Sequence, residues 1–155
     1  MSEKMMGWDS QITEAPILPA TDAAGNKIDY DFEIIQFKRN AAREFSKGPN
    51  AYTALSIDLK MNLKAEVDGE VHEGTAEDML ILTVKSQFKI FQYFTAIGLR
   101  AKGSGNFDPV KTKAWVPDTN LAKVGKCHIK IDEFNGQKRV KIDKYLEPEQ
   151  SGVDL

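Results

Sequence analysis

Hydrophobic residues recur at every second position over long stretches of this chain. Such alternation turns one face of a β-strand inward and leaves the other in water. Tyr30, Phe32 and Ile34 alternate with Asp31 and Glu33. Ile35 and Phe37 then fall on the opposite face, which predicts a twist or bulge near Ile34. Arg39 to Asn50 breaks the pattern and closes on the turn signal Gly48-Pro49-Asn50. From there Ala51, Thr53, Leu55, Ile57, Leu59, Met61 and Leu63 alternate with Tyr52, Ala54, Ser56, Asp58, Lys60, Asn62 and Lys64. That run predicts a long second strand with one buried face. Asp68-Gly69 is a hairpin signal, and Val71 to Val84 returns as a third strand interrupted near Ala76 to Asp78. After Ser86 the spacing becomes helical. Phe88, Phe91, Tyr93, Phe94 and Ile97 predict an apolar stripe, with Gly98 as the C-terminal cap. Residues 100–124 are irregular. Cys127, Ile129 and Ile131 then alternate with Lys126, His128 and Lys130, Asn135-Gly136 marks a tight turn, and Val140 and Ile142 alternate with Arg139, Lys141 and Asp143.

The order strand, strand, strand, helix, strand, strand predicts a mainly β protein. It is the order of an OB-fold-like five-stranded barrel with one helix between strands three and four. The chain divides into a loose N-terminal lead-in (1–27), the barrel domain (28–146) and an acidic C-terminal tail (147–155). A chain of 155 residues makes one domain large enough to hold its own core. With 41% hydrophobic and 28% charged residues, neither a disordered chain nor a fibre is expected. Cys127 is the single cysteine, so no disulfide forms within the chain, and a reducing compartment is expected. No apolar run approaches the ~20 residues of a membrane span. Glu3, Asp9 and Glu14 surround no apolar block, so no secretion signal is read there.

Charge changes this picture, because the net charge of −2 conceals segregation. The balance is −5 over residues 1–33, +4 over 34–64, −6 over 65–84, +8 over 85–146 and −3 over 147–155. A basic middle between acidic segments suits a polyanionic partner. Catalysis has little support. His72 and His128 are the two histidines, no Cys/His spacing fits a metal, and Gly103-Ser104-Gly105 lacks the lysine of a phosphate-binding loop. No enzyme activity, metal or cofactor is expected.

Single-stranded nucleic acid is bound by basic grooves that track phosphates and by aromatic rings that stack on bases. Bases and aromatics interleave in three places. The first holds Phe37, Lys38, Arg39, Arg43, Phe45, Lys47 and Tyr52, with Lys60 on the following strand. The second holds Arg100, Lys102, Phe107, Lys111, Lys113 and Trp115. The third holds Lys126, Lys130, Phe134, Lys138, Arg139, Lys141 and Tyr145. In such a barrel the first and third form the two loops that wall the binding face. Phe45 and Trp115 fit either a stacking or a core role.

Landmarks along nearly the whole chain resemble a phage and prophage family. Members are encoded among recombination genes, long catalogued as a domain of unknown function and regarded as single-stranded-DNA-binding-like. The landmarks are Gly7-Trp8-Asp9; Tyr30-Asp31-Phe32-Glu33-Ile34 leading to Phe37 and Arg39; Gly48-Pro49-Asn50-Ala51; the aromatic helix Phe88 to Gly98; and the final hairpin Gly125 to Leu146. The resemblance implies a replication or recombination protein in the cytoplasm of a bacterial host. It supplies no binding residues. The tail Glu147 to Leu155 is similar in style to the acidic tips with which bacterial single-strand binders recruit replication or recombination proteins. The expected partner is therefore single-stranded DNA, bound by a homo-oligomer without contact to a membrane. Two rival readings are a protein-interaction module without nucleic acid, such as an assembly factor or host inhibitor, and a mediator contacting both DNA and a recombinase.

Overall fold

The computed structural model describes residues 18–101 and 107–148. The chain forms β1 (Tyr30–Phe45), β2 (Tyr52–Val67), β3 (Glu70–Ile81), α1 (Gln87–Ala96), the single helical turn α2 (Pro117–Asn120), β4 (Val124–Phe134) and β5 (Gln137–Leu146). Five antiparallel strands make one sheet in the order β3-β2-β1-β4-β5. The sheet does not close into a barrel: β3 and β5 are its two edges. Among the described residues no helix is long and apolar enough to cross a membrane.

Bulges decide which side chains enter the core. Ile34 pairs with Met61 and Gln36 with Lys60, so Ile35 is the extra residue in β1. It is 41% exposed, while Ile34 and Phe37 are both buried. This is the irregularity that the alternation predicts, because one inserted residue flips the inward set. In β5, Ile142 pairs with Ile129 and Lys144 with His128, leaving Asp143 as the bulge and admitting both Ile142 and Tyr145 to the core.

Several expectations need correction. β1 runs on to Phe45, and Arg39–Phe45 pairs with β2 although it lacks a period of its own. The partner strand supplies the ladder that the local sequence does not ask for. β2 has no single buried face. From Ile57 onward the odd positions are buried, but before it Ala54 and Ser56 are buried and Leu55 is exposed. The switch lies beside a second irregularity in β1, at Ala41-Ala42, where Asn40 Nδ2 donates to Ser56 Oγ at 3.2 Å. β3 is uninterrupted, its register running without a shift from Val67–Glu70 to Ser56–Ile81. Both hairpin signals are obeyed. Asp68-Gly69 and Asn135-Gly136 have positive φ at both positions, as the tight two-residue turn requires.

Helix α1 buries Ile90, Tyr93, Phe94 and Ala96, and the capping Ile97 is buried as well. Gly98 follows at φ +83°, the left-handed conformation expected of a cap. Phe88, expected in the buried stripe, is 74% exposed, because it leaves the face that meets β5 and β4. The helix crosses close to β4 at Gly125. A Cβ there would lie 2.7 Å from the Phe32 ring and 2.8 Å from the Ala96 carbonyl oxygen. At Gly74 the corresponding clash, 2.9 Å, is with the tip of the Leu18 side chain. We expect Gly125→Ala to cost about 2 kcal/mol and Gly74→Ala less than about 1 kcal/mol, because backbone and ring cannot yield as a leucine tip can. Urea midpoints of the two variants measure the contrast, and equal losses would contradict it.

The strand edges are linked by side chains. Tyr145 Oη on β5 donates to Asp78 Oδ2 on β3 at 2.6 Å, and Lys89 Nζ of α1 reaches Asp78 Oδ1 at 2.7 Å. Residues 18–27, expected to be loose, instead form a packed strap. Leu18 and Ile28 are buried, Tyr30 Oη donates to the Pro19 carbonyl at 2.6 Å, Ala23 N donates to Asp68 Oδ2 at 3.1 Å, and Lys27 pairs with Asp143 at 2.9 Å. The remaining lead-in, residues 1–17, and the tail from residue 149 lie outside the described residues.

Candidate nucleic-acid interface

The β4–β5 ribbon sorts its residues by face. Cys127, Ile129, Ile142 and Tyr145 point into the core. On the opposite face the register sets Lys130 directly across from Lys141, His128 across from Lys144, and Asp132 across from Arg139, with Lys126 at the base. Like charges opposed across a strand pair repel. Among the described residues neither Lys130 nor Lys141 has a salt-bridge partner. The flanking charges are engaged: Lys126 with Asp31 at 2.6 Å, and His128 Nε2 with Asp29 at 2.7 Å. The Lys27 hydrogen bond holds the Asp143 carboxyl below the usual range, and Lys130 and His128 push it the same way. Lys138, expected in the same cluster, sits opposite Glu133 on the other face of the ribbon.

The base of the ribbon opens into a cleft of about 2040 Å³ between helix α1 and strands β1 to β3. Lys126, His128 and Lys144 line one wall. Phe88, Phe91 and Arg100 line another, with the Arg100 guanidinium 4.7 Å from the centre of the Phe91 ring. The sheet wall is mixed: Asp31, Glu33 and Glu73 stand with Lys64, which pairs with Glu73 at 3.7 Å. The ribbon side of the cleft is mainly basic, whereas the sheet side is partly acidic.

The other candidates are distributed differently. Phe37 is 5% exposed and belongs to the core, because the Ile35 bulge turns it inward, so it cannot stack on a base. Phe107 and Trp115 pack against α1. Phe107 lies 5.3 Å from Phe94, and Trp115 meets Phe94 edge-on at 5.6 Å. Trp115 thus extends the core. Arg39 Nη1 reaches its carbonyl at 3.4 Å, which joins the first and second clusters. Phe45 is half-buried at the β1–β2 tip. It stacks on Tyr52 at 5.7 Å, with the Arg43 guanidinium 4.8 Å from its ring centre. Tyr52 is exposed, and so is Lys47 beside it. Lys38 faces Asp58, and Lys60 faces Gln36 and Glu77, so acids interleave with both. Lys111 and Lys113 are exposed on the turn that Asp108 organises through the backbone N–H groups of Val110 and Lys111. Lys102 lies outside the described residues.

The first and third clusters do not form two walls of one groove along β1. The β1–β2 tip lies at the C-terminal end of β1. β4 pairs with β1 only over Tyr30–Glu33 and continues beyond its N-terminal end. The two tips therefore stand at opposite ends of β1. Sequence reasoning missed Lys144, Lys64 and Phe88. Lys144 carries a signal, since a bulge at Asp143 restores it to the face of Arg139 and Lys141. Phe88 carries none that separates it from a core residue.

Among the described residues no group of three or more His, Cys, Asp or Glu side chains is placed to hold a metal ion. Cys127 is fully buried. Burial pushes its thiol up to about 12, with Asp78, Asp31 and Asp29 adding to the effect. A thiol-specific reagent at neutral pH should therefore modify Cys127 only as fast as the domain opens. Prompt stoichiometric labelling of the native protein would refute this. No family model, curated protein or solved structure matches this chain.

Proposed function

We propose that this protein binds single-stranded DNA, without catalysis and with little sequence preference. The strand runs along the outward face of the β4–β5 ribbon and into the cleft beside α1. One observation carries the reading: Lys130 and Lys141 oppose each other directly across the strand pair, and among the described residues neither is in a salt bridge. A phosphate backbone between them converts that repulsion into attraction, releasing counterions. Lys126, Lys144 and Arg139 extend the same face, and Phe88 offers an exposed ring at the end of the path. Five antiparallel strands in one sheet with a helix between β3 and β4 support an OB-like reading, a fold class that commonly binds oligonucleotides. The phage resemblance adds a role in replication or recombination inside a bacterial host, with the C-terminal tail recruiting a partner protein.

Fluorescence anisotropy of a labelled oligothymidylate tests this against duplex DNA and RNA. We expect tight binding to the single strand at low salt, weaker binding to duplex, and log K falling against log salt by about 0.7 per phosphate neutralised. Phe88→Ala should leave folding unchanged and weaken binding by about 1–3 kcal/mol, the range for loss of one stacked base. Absence of binding at low salt would end the proposal. A full-strength Phe88→Ala would remove the ring from the path.

A further inference from the structure

The two edges of the sheet carry opposite charge. Within β3, residues 70–77 hold Glu70, Glu73 and Glu77 and no lysine or arginine. Within β5, residues 137–144 hold Lys138, Arg139, Lys141 and Lys144 against Asp143. β3 is long, regular and free of bulges or proline, and Val71 on it is 55% exposed. The C-terminal ends of the edges are joined through Tyr145 and Asp78, and the 18–27 strap touches both strands, at Gly74 through Leu18 and at Asp143 through Lys27. Among the described residues the stretches 70–77 and 137–142 have no strand partner on their outer sides. Unpaired backbone of this kind is a template for another strand, and side-chain charge is its main remaining guard.

We infer that the occupant of each edge is a second copy of this chain, the acidic β3 edge of one molecule adding to the basic β5 edge of the next. A symmetric dimer is disfavoured, because β3 on β3 sets glutamate against glutamate and β5 on β5 sets lysine against lysine. Only the head-to-tail pairing joins opposite signs over stretches of similar length. A contact of that kind is heterologous, so it propagates into a filament or closes into a ring rather than stopping at two. The β5 edge uses its outer backbone groups, which leaves the outward face of the ribbon open. The assembly thus needs no nucleic acid, and this inference stands apart from the proposed DNA binding.

Sedimentation velocity of the full chain, without DNA, tests it across a concentration series. The wild type should form species larger than one chain at low salt and return to the single-chain mass at high salt, because exposed charge pairs are screened. Two triple variants reverse one edge each: Glu70→Lys/Glu73→Lys/Glu77→Lys and Lys138→Glu/Lys141→Glu/Lys144→Glu. Each alone should sediment as one chain with an unchanged circular-dichroism spectrum. Mixed in equal amounts they should assemble again, since each then offers the edge the other lacks. Loss of folding cannot produce that rescue. A wild type that stays monomeric at every concentration, its edges covered within its own chain, overturns the inference. So does assembly that survives high salt, triple variants that assemble alone, or a mixture that does not reassemble.

Discussion

Asp78→Ala should lower the stability of the domain by about 3 kcal/mol. Tyr145 is fully buried, and its hydroxyl is held well above the usual titration range, first by burial and then by the Asp78 carboxylate. It therefore remains a donor, and Asp78 Oδ2 is its acceptor at 2.6 Å. Removing the carboxylate strands that O–H inside the core and deletes a bond to a charged group, losses of about 1–3 kcal/mol each. Lys89 is treated more gently. Its side chain is 42% exposed against 10% for Asp78, so water replaces the lost partner. Lys89→Ala should accordingly cost about 1 kcal/mol or less. Urea unfolding at constant slope distinguishes the two. Equal losses would mean that Tyr145 finds another acceptor and that the β3–β5 link is dispensable.

The double variant Lys130→Glu/Lys141→Glu should weaken single-stranded DNA binding by about a hundredfold at low salt, or ~2.7 kcal/mol. Two cations that flank one phosphate path become two anions, so the phosphate meets repulsion where it met attraction. The slope of log K against log salt should fall by roughly 1.4, two contacts at about 0.7 each. Folding should be unaffected, because both side chains are exposed on the outward face and their reversal leaves the cross-strand repulsion as it was. Lys38→Glu/Lys60→Glu is the natural control, since those lysines stand among Asp58 and Glu77. If the control loses as much affinity as the ribbon variant, the path lies elsewhere on the sheet.

The sequence announces strands whose two faces differ and hides those whose faces do not. Residues 57–67 alternate cleanly, and so does the Tyr30–Ile34 run, so both are legible. Arg39–Phe45 is polar on both sides and becomes a strand because β2 lies beside it. The Ile35 bulge was visible as a phase jump, but its consequence for Phe37 depended on which phase the core adopted. Aromatic residues between lysines look alike on paper. Packing alone separates Trp115 and Phe107, against Phe94, from Tyr52 and Phe88, in water. Opposition of Lys130 and Lys141 follows from the Asn135-Gly136 turn, which fixes the register, so this part of the candidate site was legible in principle. Closure into a barrel was not, because no local pattern says whether two distant edges will meet.

The short seam between β1 and β4 has a kinetic consequence. β1, β2 and β3 form a meander of neighbours in sequence, and β4 and β5 form a hairpin, so each unit assembles from local contacts. The strand ladder between the two units is short, Tyr30–Glu33 against Val124–Cys127. That pairing must close a loop running from residue 33 to residue 124, and the loop's entropy is lost before any contact rewards it. The seam should therefore limit the folding rate, and a variant weakened at Phe32 or Gly125 should fold more slowly in stopped-flow refolding than one weakened in the β4–β5 hairpin.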